Sequence, residues 1–221
     1  CVTNQELYVT PTGNFLHTTQ AANVMAREQV DDMYNPHPVS ECGYNTCSGT
    51  FTNVDIYSFN IHPLGRGYNN NKPNYAYFVK AFHLAKQNGV KILSFSELFS
   101  YNNKSVCDDF QKEVDNYDGI IITSASNYSN GLFTYLNIDE SSEIIYPTSC
   151  ANDNVIVVGE CEYNDDVEIM PALSSCYGPT TVDLFAHGYS FNTVAGDYKS
   201  LSGTSFVTPR VTWCSSTALE H

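Results

Sequence analysis

A serine that follows a Gly-Thr pair is the first residue of this chain whose setting could support covalent chemistry. Ser205 lies in the stretch SLSGTSFVTP, where Gly203 allows a tight turn and the residues that follow are typical of a helix. The start of a helix leaves backbone N–H groups unpaired and carries a partial positive charge. The Ser205 hydroxyl can therefore cap the helix, or it can attack a carbonyl carbon while the serine N–H holds the oxyanion. Taken alone, the Gly-Thr-Ser sequence favours the cap.

Four apolar runs, rich in β-branched residues, predict the strands that must position such a serine. Nearly continuous apolar sequence, rather than strict alternation, is typical of a strand that is covered on both faces. The four runs span residues 54–61, 90–96, 119–125 and 154–159, and shorter candidates span residues 181–186 and 7–10.

Helices are predicted between several of these strands. Across residues 74–88 the apolar side chains recur on one helical face. Asn74 can cap the start of this helix, and Gly89 can adopt the left-handed conformation that ends it. A second helix is expected to begin near Ser105, which forms a capping-box pattern with Asp108. Strand, helix and strand recur at a spacing of about 30 residues, which predicts a parallel sheet with crossover helices.

The composition excludes several functional classes. The chain has 221 residues, of which 42% are hydrophobic and 15% are charged, as expected for a globular protein. Its formal net charge of −14 repels phosphate backbones and argues against nucleic-acid binding. No stretch approaches the roughly 20 apolar residues that cross a bilayer, which argues against a membrane span within this chain.

Eight cysteines, without any C-x-x-C pair, favour structural disulfides over metal ligation. We expect Cys42 to pair with Cys47 across a short loop, and Cys161 to pair with Cys176 across a strand and its return. Sequence alone does not fix this connectivity. Together with a glycan acceptor sequence at Asn103, the cysteine count predicts a secreted or secretory-pathway protein.

The surroundings of Ser205 resemble a known family. SLSGTSFVTPRV resembles the nucleophile motif of the subtilisin-like serine proteases, in which Gly-Thr-Ser precedes two residues and then a Thr-Pro or Ser-Pro step. YPTSCANDNVIVVGE, residues 146–160, resembles the family's passage from a Tyr-Pro turn into a core strand. VDLFAHGYSFNTV, residues 182–194, resembles the strand and Ala-Pro-Gly turn before the nucleophile, with His187 in place of the proline.

The resemblance implies roles for two more residues. DGIIITSASNYSNG, residues 118–131, resembles the strand that ends in the family's oxyanion asparagine, which corresponds to Asn127. An amide donor of this kind contributes roughly 3 kcal/mol to transition-state stabilisation. HTTQAANVMA is similar to the family's His-Gly-Thr-His-Val-Ala-Gly run, which makes His17 the implied general base for Ser205. Four other histidines have no such setting and are expected on the surface or in loops: His37, His62, His83 and His187.

Two departures from the family pattern bear on activity. The 16 residues before His17 contain no aspartate, so the acid of the triad either lies on sequence outside this chain or is missing. The substrate-binding strand edge of the family contains Ser-Leu-Gly-Gly, and the aligned residues here are Ser96, Glu97, Leu98 and Phe99, of which the first three are the expected substrate-binding residues. Side chains at the glycine positions would crowd the main subsite.

The implied fold is an α/β, three-layer, mainly parallel sheet with helices on both faces. It forms a single catalytic domain over residues 1–218 that is truncated at both ends, and residues 219–221 resemble a tag remnant. The implied function is a serine endopeptidase that hydrolyses peptide bonds through an acyl-enzyme. The alternative is an inactive relative that serves as a binding or scaffold module. A small-ligand-binding protein ranks third, because no glycine-rich phosphate loop is present.

The implied partners are a peptide or protein substrate and, by resemblance, an inhibitory propeptide. No cofactor and no metal ligand is assigned. Calcium is allowed by the resemblance, since family members often carry it, but the chain contains no ligand spacing like that of an EF-hand loop.

Overall fold

The computed structural model describes eight stretches of the chain, residues 75–100, 104–128, 137–141, 144–150, 152–163, 169–187, 190–194 and 197–219. Their helices are α1 (Tyr75–Gln87), α2 (Lys104–Asp115) and α3 (Thr204–Leu219). Their strands are β1 (Ile92–Phe95), β2 (Phe99–Ser100), β3 (Ile120–Ser124), β4 (Ile145–Tyr146), β5 (Val155–Tyr163), β6 (Ile169–Pro171), β7 (Leu184–His187), β8 (Ser190–Val194) and β9 (Asp197–Leu201).

Four parallel strands form the sheet that organises the described residues, in the spatial order β1, β3, β5 and β7. The register places Ile122 beside Ile156 on the neighbouring strand, and Val158 beside Leu184 on the next. Strand β6 pairs antiparallel with the end of β5. Two small antiparallel ribbons, β2 with β4 and β8 with β9, lie outside this sheet. The predicted mainly parallel sheet is therefore confirmed.

Successive side chains of each central strand face opposite sides of the sheet, and each side has its own apolar cluster. Ile121 of β3 packs with α1 and α2, whose buried contacts include Phe82 and Phe110. Ile122, the next residue, packs on the other side against Val207 of α3. Continuous apolar strands are required because both faces are covered. The predicted three-layer arrangement, with helices on both faces, is confirmed.

The first two helices follow the predicted pattern closely. Phe78 and Phe82 of α1 are fully buried, and the ring of Phe82 meets that of Phe110 edge to face at a centroid distance of 5.4 Å. Gly89 has a φ of +67°, the left-handed conformation expected at the end of α1. Helix α2 begins at Lys104, so Ser105 is its second residue and does not precede it as the predicted capping box requires.

The predicted disulfide between Cys161 and Cys176 is wrong, because both residues are buried free thiols. Cys161 lies four residues after Val157 on β5, so both side chains face the α1–α2 side of the sheet. Cys176 is held at a different strand end, where its N–H donates to the Ser126 carbonyl at 3.0 Å. An even cysteine count carries no information about such placement. Secretion, which was inferred from disulfides, stays a prediction.

Several expectations concern residues outside the described stretches. They are the strands at residues 7–10 and 54–61, the Cys42–Cys47 pair, the base His17, the surface or loop residues His37 and His62, the helix cap Asn74 and the glycan acceptor Asn103. Within the described stretches, no helix is long and apolar enough to cross a bilayer.

Candidate active site

The turn before α3 places Ser205 one residue inside the helix. Helix α3 starts at Thr204, and Gly203 immediately before it has a φ of +122°. A Cβ added to Gly203 would find its nearest neighbour, Asn127 Nδ2, at an ordinary 3.6 Å. Glycine is therefore needed here for its backbone conformation and not for space.

The helix start is capped by Asn127 and not by Ser205. Asn127 Oδ1 accepts from the Thr204 N–H at 2.9 Å and from the Thr204 hydroxyl at 3.1 Å. Both partners are donors, which identifies the atom as the amide oxygen and leaves Nδ2 as the free end. Among the described residues, Nδ2 has no hydrogen-bond partner. The capping interpretation of Ser205 is therefore wrong, and its hydroxyl has another use.

The segment that carries Asn127 is fixed on both sides. It follows β3 directly, and Ser126 has the positive φ of 81°, which is uncommon for a residue with a side chain. The Ser126 carbonyl accepts from the Cys176 N–H at 3.0 Å, and the Tyr128 N–H donates to the Ser174 carbonyl at 2.8 Å. Backbone hydrogen bonds on either side thus set the position of the carboxamide.

Ser205 and Ser96 exchange two hydrogen bonds. The Ser205 hydroxyl donates to the Ser96 carbonyl at 3.1 Å, and the Ser96 hydroxyl donates to the Ser205 carbonyl at 2.8 Å. Pro209 explains the second bond. Proline has no N–H, so the Ser205 carbonyl lacks the helical donor that a residue at position 209 would otherwise supply. The open carbonyl is satisfied by Ser96, which directly follows β1.

Glu97 and Leu98 continue from Ser96 toward β2, and their side chains are partly buried. Strand β2 then pairs with β4, where Phe99 lies opposite Tyr146. The structure thus brings the three predicted substrate-binding residues to the same strand end as Ser205. Leu98 and Phe99 stand at the two glycine positions of the family pattern.

Sequence reasoning missed one residue of this site, the buried carboxylate of Glu160. It is 2% exposed, and because it lies two residues after Val158 on β5, it faces the same side of the sheet, against α3. Its Oε1 accepts from the Ser202 hydroxyl at 2.8 Å and from the Gly203 N–H at 2.9 Å. Its Oε2 accepts from the Ser174 hydroxyl at 3.1 Å. An acidic residue inside the apolar run VIVVGEC was the available signal, since carboxylates are rarely buried without partners.

His187 lies close enough to this carboxylate to be influenced by its charge, and Arg210 is bound to His187. Burial lowers the pKa of His187, while the charges of Glu160 and Glu162 act in the opposite direction. Burial also lowers the pKa of Arg210, whose Nη1 donates to the His187 carbonyl at 2.9 Å. His187 is the last residue of β7 and is partly buried, so it lies in a strand and not in a loop. His83 does lie exposed on α1, as predicted.

The structure therefore brings Asn127, Ser205 and Ser96 together, while His17 lies outside the described residues. Calcium finds no support in the described part of the chain, where no group of three or more His, Cys, Asp or Glu residues could hold a metal ion. No chemical step is assigned to a metal.

Comparisons with known proteins agree with this arrangement. The sequence model of the subtilase family matches residues 16–221. A crystal structure of a cold-adapted subtilisin-like serine proteinase matches with 19% identity and a TM-score of 0.50, over 68% of this chain and 50% of that chain. The structure of the prenylagaramide maturation protease PagA matches with 20% identity and a TM-score of 0.51, over the same shares. At these identities the two structures establish the fold alone.

The chain spans about half the length of these structural relatives. No curated protein sequence matches it significantly.

Proposed function

Because the chain belongs to the subtilase family, we propose that it is a serine endopeptidase that hydrolyses peptide bonds through an acyl-enzyme, with Ser205 as the nucleophile. The observation that carries the proposal is the engagement of Asn127. Its oxygen is occupied by Thr204, which leaves the Nδ2 donor, at the turn that precedes the serine, without a hydrogen-bond partner among the described residues. A donor fixed in this way is suited to an oxyanion that forms next to Ser205.

The first step forms a bond between Ser205 Oγ and the carbonyl carbon of the substrate. The hydroxyl proton passes to a base, for which we propose His17, and the carbonyl oxygen becomes an oxyanion. Asn127 Nδ2 and the Ser205 N–H donate to that oxyanion. Collapse of the intermediate breaks the C–N bond and returns the proton to the leaving amine, and water then releases the acyl group.

Ser96 sets the starting position of the nucleophile. Its carbonyl accepts a hydrogen bond from the Ser205 hydroxyl. A backbone carbonyl is too weak a base to remove the hydroxyl proton. The hydroxyl must therefore turn from Ser96 toward the base when a substrate binds. We further propose that Ser96, Glu97 and Leu98 line the substrate cleft and that the substrate is a peptide or an exposed protein segment.

A catalytically inactive binding module is the second candidate. It is favoured by Leu98 and Phe99, which occupy the two positions where the family resemblance expects glycine. A side chain at such a position reduces the room for a peptide backbone to pair with the strand edge. The two candidates differ in one measurable property, the reactivity of Ser205.

Labelling by a serine-directed fluorophosphonate tests the proposal on the full-length protein. We expect an adduct on Ser205, identified by peptide mapping, and no adduct in Ser205→Ala. Ser149→Ala is the matched control, because its hydroxyl only accepts from the Ile145 N–H in a surface turn. Folded protein that takes no label, or takes it at another serine, would overturn the endopeptidase proposal and favour the binding module.

A further inference from the structure

The buried carboxylate of Glu160 is bound to the turn that carries the nucleophile, although none of its hydrogen bonds goes to Ser205 itself. Its Oε1 accepts from two consecutive residues of that turn, Ser202 and Gly203. We propose that Glu160 is a positioning residue that fixes this turn and thereby the direction of the Ser205 hydroxyl. The inference rests on the proposed function and adds a residue to it.

Each residue from 202 to 205 is held by a side chain from another element. Glu160 holds Ser202 and Gly203, and Asn127 holds Thr204. Ser96 holds the Ser205 carbonyl. The conformation of the turn is therefore fixed at four consecutive residues, and the side chains that fix it come from three neighbouring strands or the residues that follow them. Loss of the Glu160 anchor would leave Gly203, whose φ is +122°, free to adopt the many other conformations open to glycine.

The chemistry of the donors explains why an ionised carboxylate fits here. Glu160 faces three donors: two hydroxyl groups and one backbone N–H. A carboxylate accepts at both oxygens, and hydrogen bonds to an ionised acceptor are roughly twice as strong as neutral ones. Among the described residues, no lysine or arginine forms an ion pair with Glu160. Its charge is therefore stabilised by the turn and its neighbours, and the turn is stabilised by the charge.

A merely structural role would predict a different outcome. The Glu160 carboxylate also accepts a hydrogen bond from the Ser174 hydroxyl, and the Glu160 N–H donates to the Ser175 hydroxyl at 3.0 Å. If Glu160 served only to tie β5 to this neighbouring segment, removal of the Ser174 bond would have the same kind of effect as removal of the carboxylate. If it positions the nucleophile, the effect follows the bonds to Ser202 and Gly203.

Two measurements on the full-length protein separate these roles: the rate constant for fluorophosphonate labelling of Ser205, and amide hydrogen exchange at Gly203. For Glu160→Ala we expect labelling to fall by about 10²-fold, the cost of a displacement of about 1 Å, and Gly203 exchange to rise at least about tenfold. Glu160→Gln keeps an oxygen for the turn but loses the charge, so it should fall between the wild type and Glu160→Ala in both measurements. Ser174→Ala keeps the bonds from Glu160 to Ser202 and Gly203, so both measurements should stay close to the wild type.

Equal labelling rates for wild type and Glu160→Ala, measured where both are folded, would overturn the proposal. An equal effect of Ser174→Ala would also overturn it. If Glu160→Ala does not fold, Glu160→Gln decides, because loss of the charge alone must slow labelling and speed Gly203 exchange. If the wild type itself takes no label, the endopeptidase function fails. The anchoring of the turn is then still decided by Gly203 exchange in Glu160→Gln against Ser174→Ala.

Discussion

The two ends of the Asn127 side chain can be separated by substitution. Its oxygen caps α3 at the Thr204 N–H, and its nitrogen is the proposed oxyanion donor. Asn127→Ala removes both groups. Asn127→Asp keeps the oxygen that accepts from Thr204 and replaces the donor with a second acceptor of negative charge. The pair of variants therefore distinguishes a structural contribution to folding from a contribution to catalysis.

The magnitudes follow from the geometry. Thr204 is fully buried, so Asn127→Ala leaves its N–H without an acceptor, and loss of such a cap costs about 1 kcal/mol of folding free energy. Asn127→Asp should retain that energy and add about 0.3–1 kcal/mol, since a carboxylate near a helix N-terminus is favourable. Loss of one oxyanion donor costs about 10²–10³-fold in kcat. We therefore expect both variants to lose that much turnover, and only Asn127→Ala to lose stability.

The assay combines peptide hydrolysis with urea unfolding of the same preparations. Thr204→Ser is the matched control for turnover, because it keeps both donors to Asn127 and should change the rate by no more than about twofold. The loss of one buried methyl group should lower its stability by about 0.8 kcal/mol. Turnover of Asn127→Asp within about threefold of the wild type would refute the donor role. Equal destabilisation by both substitutions would refute the capping role of the oxygen.

Three further predictions address the turn, the sheet edge and the core. Gly203→Ala should cost about 1–3 kcal/mol of unfolding free energy in urea titrations, because the position is strained for a side chain but not crowded; a change below about 0.5 kcal/mol would contradict this. Ser96→Ala should lower the free energy of unfolding by about 1 kcal/mol in the wild type, because the Ser205 carbonyl loses its hydrogen-bond donor. The loss should be smaller in the background of Pro209→Ala, where residue 209 regains an N–H for that carbonyl. Additive effects in a double-mutant cycle would contradict the idea that both donors serve the same carbonyl. Burial raises the pKa of Cys150 from 9.0 to about 12, so its contribution to stability is complete below pH 9 and is lost as the pH rises toward 12. Urea midpoints at pH 8, 9.5 and 11 should fall with pH, and should fall less steeply for Cys150→Ala; parallel curves would contradict the assignment.

The central elements could be predicted from the sequence because their pattern is local. Continuous apolar runs predicted β1, β3 and β5, and Gly89 predicted the end of α1 through its own backbone conformation. Element ends were less accurate: β5 continues to Tyr163, four residues beyond its predicted end at Gly159. Its later residues are paired by β6 and β7 on either side, which the local pattern does not reveal.

The polar contacts of the site could not be predicted in this way, because each joins distant parts of the chain. Asn127 and Thr204 are 77 residues apart, and Ser96 and Ser205 are 109 residues apart. The Gly-Thr-Ser sequence alone therefore left the capping and nucleophilic interpretations open, and the position of Asn127 excludes the cap. Glu160 was missed for the same reason, since its donors come from two segments that follow it in the chain.

The parallel order of the sheet explains why these distant residues meet. Strands β1, β3 and β5 are neighbours and run in the same direction, so their carboxyl ends lie along one edge. Ser96 and Asn127 follow two of these strands, and Glu160 lies in the later part of the third, beyond its pairing with β3. Helix α3 packs across the same three strands, which brings its first turn to that edge. An antiparallel neighbour would send one anchor to the opposite edge, so the geometry around Ser205 depends on the sheet order as much as on the motif itself.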